Sequence, residues 1–422
     1  MPLFVHGHHV AGHWLPRNDE KLRKWCGRKL ERAQRHRSDG YKHPVIQEFR
    51  DLIESDPTIY MGFTQMFAAS TVPNPIDDYK KMLSIFDLII GEAPEFQEST
   101  VVAIPITAIL LGPMNTQAGF AMFSNPRVNH VVKKMLDVWH KFLVSKDSAY
   151  VLSTEDNGWF GPAAKEAIPN FAETFKCDPG APHFGFDSWD HFFIREFCDG
   201  VREVELPTEN RIINSVCEST VFRIQHNASE RDQFWIKGHP YSLTHMLNND
   251  ELSSQFIGGT VYQAFLSALS YHHFHSPVDG VITKVVLVPG TYYLQAIDAL
   301  ETNQTHVPTS GDAPGPAPDL LDKSQDFITQ VAARGLVFIE ADNPKIGLMC
   351  FIAVGMVEVS TVDFRVQPGQ RVKKGDHLGM FHFGGSTHCL VFKKDAQMVF
   401  DETKYPIGTK VPVKAAFGYT NA

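Results

Sequence analysis

At 422 residues the chain is longer than one ordinary core organises, so two domains are expected. Its 43% hydrophobic and 21% charged residues describe a soluble globular protein and exclude a disordered or fibrous one. A formal net charge of −9 argues against a broad phosphate-binding surface, so nucleic acid is not an expected partner.

Residues 1–40 read as a polar, basic tail with one short helix. The opening stretch, MPLFVHGHHVAGHWLPRNDEKLRKW, has neither an apolar core nor a small-residue cleavage site. Cys26, Cys177, Cys198, Cys217, Cys350 and Cys389 contain no CxxC pair and read as reduced thiols. No run approaches the roughly eighteen apolar residues of a membrane span. The expected location is cytoplasmic, without stable membrane insertion. His6, His8, His9 and His13 could bind a metal, but a flexible tail is the plainer reading.

From about His43 the pattern is helical. Val45, Ile46, Phe49, Leu52 and Ile53 recur at three- and four-residue spacing, as do Tyr79, Met82, Leu83 and Phe86, then Val131, Met135, Val138, Trp139 and Phe142. Pro75 sits just before the second of these helices, where its missing N–H costs little. Residues 41–175 are therefore expected to form a helical N-terminal domain.

After about Pro179 the texture changes. Gly280–Val288, Gly335–Glu340, Leu348–Val359 and Leu390–Lys393 read as strands, with helical signals at Asp190–Phe197 and Tyr241–Leu247. Residues 176–422 are expected to be an α+β domain on antiparallel sheet. The Pro/Gly-rich Thr305–Pro318 is too long for a hairpin turn and reads as a surface loop or lid.

Two stretches carry chemistry. In Phe383-Gly384-Gly385-Ser386-Thr387, two glycines leave space around the Gly385 carbonyl. A serine hydroxyl held there can attack that carbonyl by an N→O acyl shift. β-Elimination of the ester then frees a C-terminus at Gly385, and the dehydroalanine left behind takes up water and releases ammonia to become a pyruvoyl group. Alone, Gly-Gly-Ser is equally ordinary hairpin chemistry. In Tyr271-His272-His273-Phe274-His275-Ser276-Pro277-Val278-Asp279-Gly280, three histidines lie within four residues. Both self-cleavage and decarboxylation need proton transfers near neutral pH, which suits histidine. Surface histidines or a zinc site are the other readings, but no further ligand cluster at zinc spacing is evident, so no metal is expected.

These stretches, with Phe186-Asp187-Ser188-Trp189-Asp190-His191-Phe192-Phe193-Ile194-Arg195-Glu196 and Lys237-Gly238-His239-Pro240-Tyr241-Ser242-Leu243, resemble the ordered motifs of the phosphatidylserine decarboxylase superfamily. The resemblance implies an antiparallel-sheet pyruvoyl decarboxylase domain, cut between Gly385 and Ser386 into two chains that stay partners. It implies that Ser386 becomes the covalent pyruvoyl cofactor, that His275 is the base activating it, and that His272 handles protons during decarboxylation. The family aspartate that orients the base falls on Glu218, within Ser215-Val216-Cys217-Glu218-Ser219; Asp279 is the other carboxylate considered.

The helical N-terminal domain, with His43-Pro44-Val45-Ile46-Gln47-Glu48-Phe49 and Ile53-Glu54-Ser55-Asp56-Pro57, is similar to that of soluble fungal L-tryptophan decarboxylases. That likeness extends over nearly the whole chain beyond residue 40. It implies a free aromatic amino acid, tryptophan first, as substrate; phosphatidylserine is the alternative. A pyruvoyl ketone would supply the electron sink that loss of CO₂ requires. Phe274, Phe381 and Phe383 could wall an indole pocket, although aromatic residues beside strands are more often core. A carrier domain is the competing class, because Val366–Gly379 resembles biotinyl and lipoyl sequences. It lacks their Met-Lys-Met or Asp-Lys-Ala setting, so the shared texture is attributed to a similar small β-scaffold.

Overall fold

The structure, a computed structural model, describes residues 9–10, 15–16, 19–35, 40–72, 74–96, 104–231, 241–267, 269–295, 324–356, 358 and 361–421. Lys237–Pro240, the 305–318 segment and His6, His8 and His13 lie outside them. The chain divides into two compact units. One comprises Met1–Ala167, Asp187–Trp189 and Thr291–Gln325; the other comprises Ile168–Phe186, Asp190–Gly290 and Asp326–Ala422.

The described residues of the first unit are helical apart from a short ribbon, β1 (His9–Val10) with β2 (Leu15–Pro16). Its main helices are α1 (Asp19–Arg35), α2 (Pro44–Ser55), α3 (Pro57–Ala68), α4 (Tyr79–Ile89), α5 (Pro105–Leu110), α6 (Gln117–Phe123) and α7 (Pro126–Leu143). The apolar stripes expected from the sequence are the buried ones: Val45, Ile46, Phe49 and Ile53 on α2, and Tyr79, Met82, Leu83 and Phe86 on α4. Pro75 lies just ahead of α4, before its cap. Asp78 caps that helix, accepting from the Lys80 and Lys81 amides at 2.7 and 2.8 Å, so the first turn begins at Tyr79. Pro44, Pro57, Pro105 and Pro126 open α2, α3, α5 and α7. No helix among the described residues is long and apolar enough to cross a membrane.

The second unit is built on sheet, so the whole is α+β. Its strands are β3 (Ile212–Asn214), β4 (Ser219–Gln225), β5 (Thr260–Leu266), β6 (His273–His275), β7 (Gly280–Val288), β8 (Arg334–Ala341) and β9 (Leu348–Met356). They continue with β10 (Val362–Phe364), β11 (Arg371–Val372), β12 (His377–Phe381), β13 (Gly385–Phe392), β14 (Met398–Phe400), β15 (Lys410–Val411) and β16 (Ala416–Thr420). An eight-stranded antiparallel sheet runs β11-β7-β8-β9-β13-β5-β4-β15, with small sheets β10-β12-β6 and β14-β16-β3 beside it. One core joins Tyr262, Ala264 and Leu266 of β5, Phe351 and Ala353 of β9 and Leu390 of β13 to Phe274, Phe381 and Val362 of the β10-β12-β6 sheet. Phe274 and Phe381 are thus core residues. Cross-strand partners share a sheet face, so one face of the large sheet looks onto the β10-β12-β6 layer.

The Val366–Gly379 stretch supplies β11, an edge strand paired with Val281 and Gly280. Its Lys374 is buried and donates to the Glu209 carbonyl at 2.6 Å, so it is not a lysine displayed at a hairpin tip.

Candidate active site

Ser386 does not lie in a turn. It is the second residue of β13, hydrogen-bonded into the ladder between Leu266 of β5 and Gly355 of β9. Alternation puts Ser386, His388 and Leu390 on the core-facing side, because their partners there include Leu266, Ala264, Tyr262, Ala353 and Phe351. Ser386 is 2% exposed, and its Oγ has no hydrogen-bond partner among the described residues. A hydroxyl in that setting is uncommitted, which suits attack on a neighbouring carbonyl. Gly384 adopts φ +145°, a conformation that side-chain-bearing residues rarely take, so it explains one of the paired glycines. These features fit a serine that becomes a pyruvoyl group.

Arg195 sets the approach to the histidines. It is fully buried among the Phe171, Phe175 and Phe192 rings and donates to the carbonyls of Leu269 (2.6 Å) and Ser270 (3.2 Å). Burial pushes its pKa down to about 9. The chain then enters Tyr271–His275 with alternating orientation. Phe274 points into the core, and His272, two residues before it and opposite Phe381, shares that side. His272 stacks on Phe193 with centroids 3.9 Å apart, and Phe193 meets Phe383 edge-on at 5.5 Å. Those contacts carry His272 to the segment that leads into Ser386. Burial, and secondarily the Arg195 charge, hold its pKa well below the usual histidine value, so it is neutral.

His273 and His275 face the other way. His275 Nδ1 lies 2.8 Å from the Gly375 carbonyl, which can only accept, so that nitrogen carries the proton. Its Nε2 is therefore the lone-pair nitrogen and accepts from the Tyr271 hydroxyl at 2.9 Å. The same logic gives His273 its proton on Nε2, toward the Ile194 carbonyl at 2.6 Å, with Nδ1 meeting His377 at 2.8 Å. Burial is the largest cause in keeping both imidazoles neutral, His273 with a pKa of about 4. These four nitrogens are all engaged by protein groups.

Glu218 is not joined to His275. Its carboxylate takes two hydrogen bonds from Arg202, at 2.9 and 3.0 Å, and one from the Val413 amide at 2.9 Å, with Lys410 at 3.2 Å. Burial opposes its charge, but these partners outweigh burial and hold the carboxyl below its usual range. The physical reason is the nearby guanidinium, a stronger partner than a neutral imidazole. Asp279 is also occupied, accepting from the Lys374 amide at 2.8 Å. The structure thus brings His272 toward the Ser386 segment and leaves His275 and Glu218 with other partners.

Sequence reasoning missed two further groups. His388 is fully buried on the Ser386 face, a position that strand alternation from Ser386 would have flagged. His382 Nδ1 sits 2.9 and 3.0 Å from the Asp190 oxygens, and although burial disfavours its charge, Asp190 raises its pKa.

Comparison with known proteins identifies the family. Two family profiles described as phosphatidylserine decarboxylase match residues 43–168 and 189–415. The chain is 46% identical over 306 residues to decarboxylase iboD of Amanita muscaria, covering 71% of this chain and 86% of that protein. It is 36% identical over 419 residues to the L-tryptophan decarboxylase of Psilocybe cubensis, covering 95% and 92%. The phosphatidylserine decarboxylase proenzyme of Fusobacterium nucleatum is more distant, at 28% over 272 residues, covering 62% and 82%. One profile spans the sheet unit's strands from β3 to β15, and the Psilocybe relative aligns almost end to end, so the chain belongs to the phosphatidylserine decarboxylase family.

Proposed function

We infer that this chain is the precursor of a pyruvoyl-dependent amino-acid decarboxylase that cuts itself between Gly385 and Ser386. The observation that carries the reading is the buried, uncommitted Ser386 hydroxyl directly after two glycines. Ser386 Oγ attacks the Gly385 carbonyl, the peptide becomes an ester, and elimination leaves chains 1–385 and 386–422. When formed, the pyruvoyl group supplies the electron sink for loss of CO₂. His272, neutral and stacked on Phe193, delivers and removes protons there. His275, with its lone pair on Nε2, is the base for the cleavage step, and because it faces away from Ser386, reaching that serine requires the ring to turn and leave both the Tyr271 hydroxyl and the Gly375 carbonyl.

The proposed substrate is a free aromatic amino acid, tryptophan first, converted to its amine and CO₂ in the cytoplasm. Similarity to proteins named L-tryptophan decarboxylase along 95% of the chain supports it. Burying an indole yields several kcal/mol of apolar binding that a serine headgroup lacks, at roughly 25 cal/mol per Å². Phosphatidylserine is the second reading, favoured by the family profiles themselves.

The test is intact mass and CO₂ release. Purified protein should yield two chains, the smaller with a ketone-blocked N-terminus, while Ser386→Ala should remain whole and inactive. Tryptophan, tyrosine, phenylalanine, other free amino acids and phosphatidylserine vesicles are then compared without added pyridoxal phosphate. Full activity in an uncut chain would refute the mechanism, and activity confined to vesicles would refute the substrate.

A further inference from the structure

His388 is fully buried, and neither ring nitrogen has a hydrogen-bond partner among the described residues. Its nearest aromatic neighbours, Tyr262 and Phe351, stand at 6.1 Å between centroids, and its cross-strand partners are Ala264 and Ala353. None of these offers it a bond. Burial holds the imidazole neutral, with a pKa pushed down to about 3, so it presents one N–H donor and one acceptor. Buried polar groups are normally satisfied by protein, water or ligand, and leaving two such atoms unmet is costly.

The position gives the unmet donor a direction. His388 and Ser386 are alternate residues on one face of β13, about 6.5–7 Å apart along the strand. Ser386 Oγ is unpartnered on that same face. The cross-strand residues flanking His388 are small, Ala264 on β5 and Ala353 on β9, and Ser386 has Gly355 on its β9 side and Leu266 on its β5 side, whereas the next row along the face is Tyr262, Leu390 and Phe351. A ligand held at residue 386 therefore meets one polar side chain further along its own strand before it meets aromatic wall.

We propose that His388 donates a hydrogen bond to the carboxylate of the amino acid held at residue 386. This rests on the reading that Ser386 becomes the reactive group. The carboxylate is the group that leaves, so its orientation matters more than its neutralisation. A cation would stabilise the charged ground state that the reaction must abandon, whereas a neutral N–H fixes the direction of the breaking bond with little such stabilisation.

Binding separates this role from a merely structural one. Processed wild-type, His388→Leu, His388→Met and His388→Asn proteins are titrated calorimetrically with two ligands. Indole-3-propanoate carries the carboxylate without the amine, and tryptamine carries the amine without the carboxylate. His388→Leu should weaken indole-3-propanoate about tenfold or more and leave tryptamine within about twofold. His388→Asn, which keeps a donor, should recover part of the loss. His388→Met repeats the test at similar volume if the leucine variant does not fold. Equal weakening of both ligands, or of neither, overturns the assignment. A wild-type chain that is never cut, or that binds neither ligand, overturns the functional reading instead, and the two failures are distinguishable.

Discussion

Gly384→Ala tests whether backbone geometry before Ser386 matters for cleavage. Gly384 stands at φ +145°, between two fixed points. On one side Phe383 is buried against Phe193, and on the other Gly385 is paired with Met356 in the central sheet. An alanine cannot keep that φ without a cost of about 1–3 kcal/mol, and neither anchor lets the chain rotate freely to escape it. Relaxation would then draw the Gly385 carbonyl away from Ser386 Oγ. At RT of about 0.59 kcal/mol, the population of attack-ready precursor falls roughly 5- to 160-fold, and the cleavage rate falls with it. The assay follows precursor made by cell-free synthesis, with time points read on denaturing gels. Gly408→Ala is the control, since Gly408 has φ +84° with nothing within 4 Å of where a Cβ would stand, and it should cost stability alone. Cleavage of Gly384→Ala at the wild-type rate or faster would refute the reasoning.

His275→Ala should block processing, whereas His272→Ala should impair turnover more than cleavage; single-turnover cleavage and steady-state CO₂ release measured separately decide this, and equal effects on both steps would merge the two roles. Glu218→Ala strands Arg202 and the Val413 amide, so the denaturant midpoint should fall by the equivalent of about 2–4 kcal/mol. Slower processing at unchanged stability would instead tie Glu218 to His275. His273 has a pKa of about 4 when folded against 6.5 as its ordinary value, so the folded state binds fewer protons between those values. Its contribution is fully present above pH 6.5 and is lost as pH falls toward 4, about 3 kcal/mol in all. Denaturant midpoints measured across that range should fall with acid, and a flat profile would contradict it.

The helices were legible because their apolar residues repeat at helical spacing on one face, as Val45, Ile46, Phe49 and Ile53 do on α2. Gly280–Val288 was legible as a strand over its whole length. β13 was read too short, from Leu390, because Gly385, Ser386, Thr387 and His388 lack the apolar character of a strand although they pair into the sheet. Their pairing is a long-range property, set by β5 and β9, which no local window contains. The chemistry-bearing residues were legible as types, but their grouping was not. His272 and His275 are three residues apart and look equivalent in sequence, yet the pleat sends them to opposite sides. Arg202, sixteen residues before Glu218, carries no signal that it will claim that carboxylate.

The place of β13 also decides what a cut at its start would leave behind. The 386–422 piece would remain hydrogen-bonded to β5 on one side and β9 on the other, while β15 is laced to β4 and β16 to β3. Severing one peptide bond would therefore release no fragment. The smaller chain would be an internal slat of the larger one's sheet, and separating the two would mean dismantling that sheet. Such a heterodimer is inherited from a single folding event, so the two pieces supplied as separate polypeptides would have no folded partner ready to receive the missing strand.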